Sequence, residues 1–270
     1  MRKSAIPIAI GTAGKEILLY LNMNFRLEIC VDSVESAIIA QNADVDRVEL
    51  CANLSEGGTT PGLGTILSAR ENLGIGLHVI IRPRGGDFLY TDLEYDIMRR
   101  EIDICGESGV NGIVLGILEK DGDIDVERTA RLIEFARPMS ATFHRAFDMC
   151  ADPIKGLEDV ISSGAERLLT SGLKNKAVEG MDIIRHLVRQ AGTRIIVMPG
   201  SGINELNIGE IARTTGAKEF HLTGRKAVES EMVFRREDIS IGGTTNIPEF
   251  LRKVADTDKL KRIINILRNI

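Results

Sequence analysis

From Arg26 onward the chain repeats one unit. A short β-branched run leads to a turn rich in Gly, Ser or Asp, then to a stretch whose apolar residues recur at helical spacing. The strand-like runs lie at 26–31 (RLEICV), 47–52 (RVELCA), 77–82 (LHVIIR), 112–117 (GIVLGI), 140–146 (SATFHRA), 167–171 (RLLTS), 194–198 (RIIVM) and 219–223 (EFHLT). Helical patterns occupy 33–43, 63–73, 92–108, 125–136, 153–163, 177–191 and 205–215. Asp32-Ser33, Asp125, Asp152 and Asn204 stand where N-caps belong. Gly74, Gly109, Gly164, Gly192 and Gly216 stand where helix ends call for a left-handed residue. Strands alternating with helices imply parallel βαβ units. The eight strand-like runs predict an α/β protein built as a single-domain (β/α)8 TIM barrel with eight parallel strands.

The length of 270 residues suits that fold, for which about 250 is typical. The barrel is expected over 25–225. Residues 226–270 begin polar and end in a pattern (Leu260, Ile263, Ile264, Leu267) expected to pack on the barrel as a last helix. Residues 1–24 are expected to be either a disordered extension or sequence ahead of a true start at Met23. Lys15 and Glu16 interrupt their apolar run, so a signal peptide is not expected. No run approaches the roughly 20 apolar residues of a membrane span.

Strand alternation sends one set of side chains to the helices and the other into the barrel. Leu27, Ile29, Val31, Val48, Leu50 and Ala52 form the apolar, helix-facing set, which leaves Glu28, Cys30, Glu49 and Cys51 pointing inward. The same phase turns His78, Ile80, Arg82, Thr142, His144, His221 and Thr223 inward, with Arg84 in the loop after the third strand and Arg145 near the rim. Barrel interiors are normally filled by branched apolar residues. Buried charges are costly unless paired, so Glu28 and Glu49 are expected to find partners such as Arg82 and a histidine. A satisfied ion network is one reading of these charges. For Glu49, Arg82 and His144, near the strands' C-terminal ends, chemistry is the other, because that face carries the active sites of such barrels.

Composition narrows the field. Thirty-four basic against 39 acidic side chains give a net charge of −5, with no basic stripe, which argues against a nucleic-acid partner. Four cysteines are too few for a disulfide scaffold in a chain this long and show no CxxC spacing, which fits a reduced, cytoplasmic protein. The loops 54–62 (LSEGGTTPG) and 82–92 (RPRGGDFLYTD) are long and glycine-rich, and carry Glu56, Arg84, Asp87 and Tyr90. Gly200-Ser201-Gly202 and Thr223-Gly224 fall after strands seven and eight, where this fold frequently builds a phosphate site from backbone N–H groups. The alternative for these glycines is a tight turn. "GTAGK" (11–15) fails as a Walker loop, since Ala9 and Glu16 occupy the positions of its Gly and Ser/Thr.

The ordered segments "LEICVDSVESA", "RVELC", "LSEGGTTP", "IRPRGGDFLY", "TFHRAFDM", "LTSG" and "VMPGSGI" resemble the signature segments of the CutC family, named for copper homeostasis, from about residue 26 through "FRRE" (234–237). The resemblance implies a TIM barrel and cytoplasmic copper handling, with Cys30 and Cys51 as Cu(I) ligands. It carries no role over to Cys105 or Cys150. Ser201, where a third glycine is common, and Leu222-Thr223-Gly224 after the last strand's His depart from the pattern.

Two functions follow. In the first, Cys30 and Cys51 supply soft thiolates to copper (Cu(I)) as a near-linear pair, with His144 or Met198 as further donors. The alternative is a pair of small buried hydrophobes. In the second, the barrel is an enzyme acting on a small anionic or phosphorylated metabolite. There Glu28, Glu49 and His144 provide acid/base chemistry, and Arg82, Arg84, Asp87, Arg145, Gly200, Ser201, Gly202, Thr223 and Gly224 bind substrate. A homo-oligomer is expected in either case.

Overall fold

The computed structural model describes residues 25–236, 238–239, 241 and 248–270. The expectation for residues 1–24 lies outside the described residues. Strands β1 (Arg26–Val31), β2 (Arg47–Leu50), β3 (Gly76–Ile80), β4 (Gly112–Leu115), β5 (Ser140–Phe143), β6 (Arg167–Thr170), β7 (Ile196–Pro199) and β8 (Glu219–Leu222) form one parallel sheet in the order β7-β6-β5-β4-β3-β2-β1-β8. Gly200 pairs in parallel with His221 across the remaining seam, and the sheet becomes a TIM barrel. Helices α1 (Val34–Gln41), α2 (Leu63–Asn72), α3 (Asp92–Glu107), α4 (Val126–Ala136), α5 (Pro153–Ser162), α6 (Met181–Ala191) and α7 (Ile208–Thr215) each follow the strand of the same number. After β8 the chain forms an antiparallel pair, β9 (Arg225–Glu229) with β10 (Leu251–Ala255), before helix α8 (Thr257–Arg268). Leu260, Ile263, Ile264 and Leu267 of α8 are buried in the barrel's outer core.

Local chemistry fixes most helix starts. Ser33, Asp125 and Asp152 accept first-turn N–H groups, and Thr91 with Glu94 closes a capping box at α3. Two helices begin later than their apolar pattern. Residues ahead of α6 are held in a turn where Gly172 and Gly180 pack backbone to backbone, leaving a Cβ on Gly172 only 2.4 Å from the Gly180 carbonyl oxygen. Ahead of α7, the Asn204 side chain accepts from Leu206 N–H and its own N–H goes to the Asn207 side chain, so Asn204 shapes a turn instead of a cap. Gly74 is not left-handed, because α2 ends through an extended Leu73; Gly109, Gly164, Gly192 and Gly216 do take positive φ.

The alternation divides the buried apolar residues into separate sets. Leu27, Ile29, Val31, Val48, Leu50, Leu77, Val79 and Ile81 join the helices in one continuous core. Cys30, Cys51 and Ile80 form a distinct small cluster inside the barrel. The helix-facing set supplies the bulk of the hydrophobic driving force, so the interior is free to carry polar groups.

Candidate metal and anion cavity

The two Arg-x-Glu-x-Cys segments are not symmetric mates. In the β1–β2 register Glu28 lies beside Arg47 and Cys30 beside Glu49, so the second segment is displaced by two residues along the barrel axis. Arg26 consequently stays exposed at the strand entrance, whereas Arg47 is 5% exposed inside the barrel. The stagger stacks the inward groups as a staircase, with an ionic floor below and thiols above.

The floor is held by short ion pairs. Arg47 Nε donates to Glu28 at 2.6 Å and its Nη2 to Glu219 at 2.6 Å, while Arg167 Nε reaches Glu219 at 2.9 Å. Glu28 also accepts from His221 Nδ1 at 2.8 Å and lies 3.5 Å from His78 Nδ1. Burial would push the Glu28 carboxyl up, but Arg47 and the two histidines overcome it and hold it well below the usual carboxylate range. His78 is pushed down to about 4 by burial, against the pull of Glu28, and stays neutral at neutral pH. Arg47 Nη2 lies 3.2 Å from Met198 Sδ, so Met198 belongs to this floor and not to the thiol pair as a further donor.

Above the floor, Cys30 Sγ and Cys51 Sγ stand 3.6 Å apart, and one donor atom from each of Cys30, Glu49 and Cys51 falls within 4.8 Å of the others. His221 Nε2 is 3.6 Å from Glu49 Oε2. The Cys51 S–H, donating to Cys30, does most to lower the Cys30 thiol, to about 5; burial opposes this and His221 assists. Burial and the same hydrogen bond push Cys51 up. Burial and the neighbouring Cys30 charge raise Glu49 well above the carboxylate range. Despite burial, bonds to Cys30 and Glu28 keep His221 protonated to well above the ordinary histidine value. The favoured state is a thiolate at Cys30 facing an imidazolium at His221, with Glu28 orienting the ring from below.

Cys30, Glu49 and His221 form one wall of a cavity of about 260 Å³ at the C-terminal mouth; Arg82, Phe88, His144, Arg145, Asp148 and Glu56 line much of the rest. Glu49 and His144 thus both line the cavity, and Glu28 sits behind His221. The expected pairing of Arg82 with the glutamates is not found. Its guanidinium donates at 2.8 Å to the carbonyl oxygens of Glu56, Gly58 and Gly86, because the register gives Glu28 to Arg47. Arg84 and Asp87 pair with each other at 2.9 Å on the outer rim, Arg84 also binding Glu94, and neither lines the cavity. Arg145 lines it, but is neutralised by Asp148 at 2.6 Å.

The loops after β7 and β8 are placed by packing. The Gly200 N–H bonds Thr170, and a Cβ there would come within 2.5 Å of Leu169 and 3.4 Å of His221, so glycine permits the closing bridge that sets His221. Ser201, at φ 77°, donates its hydroxyl to Asn175, and the Gly202 carbonyl accepts from the side chains of Asn204 and Asn207. A Cβ on Gly224 would strike Leu260 of α8 at 2.4 Å. Gly200, Ser201, Gly202, Thr223 and Gly224 are not among the residues lining the cavity.

Sequence reasoning left Arg47 and Glu219 without a role, although each shares the inward phase of Glu49 and His221. It turned His221 inward without placing it in the site. A second signal lay in the inward phase of β4 and the residues after it. Gly116 has no side chain because a Cβ would sit 2.5 Å from His144 Nδ1, and Gly112 makes the same room for His78.

The CutC family model matches residues 25–226. A human copper homeostasis protein cutC homolog is 44% identical over 246 residues, covering 91% of this chain and 90% of the human protein. A CutC family protein of Parabacteroides distasonis is 48% identical over 239 residues, covering 88% and 98%. Among solved structures, a copper homeostasis protein CutC from Streptococcus agalactiae superposes with a TM-score of 0.70 at 36% identity, over 74% of this chain and 98% of that one. More distant barrels, such as a phosphoribosylanthranilate isomerase from Thermotoga maritima (TM-score 0.55, 12% identity, 91% of this chain and 100% of that one), share the fold alone. No helix among the described residues is long and apolar enough to cross a membrane. With the match running across the whole barrel, the chain belongs to the CutC family.

Proposed function

We propose that this chain serves copper homeostasis by taking Cu(I) as cargo on Cys30 and Cys51. The observation that carries the reading is the pair of sulfurs 3.6 Å apart, of which Cys30 lines the open cavity and Cys51 lies buried directly behind it. Soft thiolates select Cu(I) over harder ions, and the Glu49 carboxyl, with a donor atom within 4.8 Å of both sulfurs, is the third group within reach. At metal–sulfur bonds of about 2.3 Å, a near-linear pair would need sulfurs roughly 4.6 Å apart. The shorter spacing suits a bent, three- or four-donor site instead. Ligands must shed their protons to bind, and the Cys30 thiolate already does so.

Anaerobic titration of the reduced protein with Cu(I) against a competing chelator tests this. Cys30→Ser and Cys51→Ser should each lose more than the roughly 100-fold typical of removing an outer partner of a metal ligand. A Cys30→Ser/Cys51→Ser variant that binds as tightly as the native chain would overturn the reading. All four cysteines are free and buried, which supports placement in a reducing cytoplasm. Self-association is supported by Met232, Val233 and Phe234, which are 59%, 100% and 71% exposed in one run. Light scattering would read a monomer if that is wrong.

A further inference from the structure

The floor atoms left without hydrogen-bond partners, His78 Nδ1 and Arg167 Nη1, still lie 3.5 and 3.6 Å from the carboxylates of Glu28 and Glu166, whereas the buried donors on the β3–β5 side of the same cavity have no carboxylate near them. Arg82 is 4% exposed and has no carboxylate within ion-pair distance among the described residues. Three carbonyl oxygens fix its Nη groups but do not cancel the unit charge, and its Nε has no acceptor. His144, also 4% exposed, accepts from the Ala146 N–H on Nδ1 at 3.2 Å. Burial first, and then Arg82, push its pKa down to about 3, so the ring is neutral and its single proton must sit on Nε2. That Nε2 has no partner either. The Tyr90 hydroxyl is buried beside Arg82 and is drawn to its guanidinium.

One aromatic ring covers two of these groups. The Phe88 centroid lies 4.9 Å from Arg82 Cζ and 5.1 Å from the His144 ring, and Phe88 itself faces the cavity. It follows Gly85-Gly86, where Gly86 takes φ 81°. Leaving a buried donor unpaired costs about 1–3 kcal/mol, and more for a charged one. A native site holding such donors is arranged for an acceptor that arrives from outside.

We propose that the cavity binds a small monocarboxylate on Arg82 and His144, beneath a displaceable Phe88 and facing Cys30. A single uncompensated positive charge calls for one negative charge. Arg145 offers none to spare, since Asp148 neutralises it, and the Glu56 side chain in the same lining disfavours a phosphate dianion. A planar carboxylate also matches the flat guanidinium edge beside an imidazole N–H. The proposal does not depend on copper, because neither Arg82 nor His144 belongs to the thiol cluster.

The test uses the four histidines of the full chain, labelled with 15N and observed by NMR, with His144→Asn assigning the His144 signals. Sodium lactate is titrated against sodium chloride at equal ionic strength, with inorganic phosphate as a third arm. Lactate should give a saturable shift of the His144 Nε2 resonance that chloride does not. Arg82→Lys should weaken it at least about tenfold, a loss of roughly 1.4 kcal/mol. Phe88→Ala should tighten it, or speed its approach to equilibrium, by uncovering the donors. The Cys30→Ser/Cys51→Ser variant should keep the shift, so failure of the copper reading leaves this result standing. A His144 signal that drifts alike in lactate and chloride, in both native and Phe88→Ala protein, overturns the proposal. So does saturation by phosphate at lower concentration than lactate. Should Arg82→Lys fail to fold, the lactate and chloride arms on the native and Phe88→Ala proteins still decide it.

Discussion

The floor and the mouth of the barrel are built from the same residue types and treat charge in opposite ways. On the floor, Arg47 and Arg167 face Glu28 and Glu219, two charges of each sign, with bonds of 2.6 to 2.9 Å. At the mouth, Arg82 is buried to the same degree but meets carbonyl oxygens instead, while His144 beside it keeps an unmatched N–H. A compensated network holds a structure in register and has little left to offer a ligand. An uncompensated one costs stability unless something binds, so the mouth is where function should be sought. Composition cannot separate the two; the registers of β2 and β8 on β1 do, by bringing Glu28 and Glu219 together on Arg47.

The largest effect should come from breaking the floor. Arg47→Leu strands Glu28 and Glu219 without their main counter-ion, and losing one partner of a buried pair costs roughly 3–5 kcal/mol. Urea unfolding should show this loss, and a variant within 1 kcal/mol of native (about fivefold in the folding equilibrium) would mean that the floor is not load-carrying. Next, Gly200→Ala drives a Cβ toward Leu169 at the seam; overpacking of this kind costs about 1–3 kcal/mol, and the His221 NMR resonances should move with it.

A pH profile compares the regions more finely. His144 has a folded pKa of about 3, below its unfolded value near 6.5. Its contribution is therefore complete above pH ~6.5 and is lost as pH falls toward 3, because the unfolded chain binds the extra proton. Between pH 6 and 4, native stability should fall more steeply than that of His144→Asn, by up to about 1.4 kcal/mol per pH unit. Equal slopes would place His144 in a more solvated setting. The smallest effect belongs to the outer rim. Arg84 is 36% exposed at its side chain, and its pairs with Asp87 and Glu94 should be worth at most about 1 kcal/mol. Arg84→Ala should thus unfold almost as native and leave lactate binding at His144 unchanged, whereas Arg82→Lys should not.

Much of this was legible in the chain. The period-two alternation in RLEIC and RVELC identified both faces of two strands. Eight alternating units set the barrel, and the phase of Cys30, Glu49, Arg82, His144 and His221 turned each of them inward. What failed was pairing. Arg82 was expected beside a glutamate and Met198 was offered as a donor beside the thiols, and both expectations needed heights along the barrel axis that a single strand does not encode.

The sequence by itself determined which side chains enter the barrel, because alternation is a local property of an extended backbone. Only the tertiary structure decided which of them meet. Strand stagger sets Glu28 level with Arg47 and Cys30 level with Glu49, and closure through Gly200 brings His221, 193 residues along the chain from Glu28, within 2.8 Å of it.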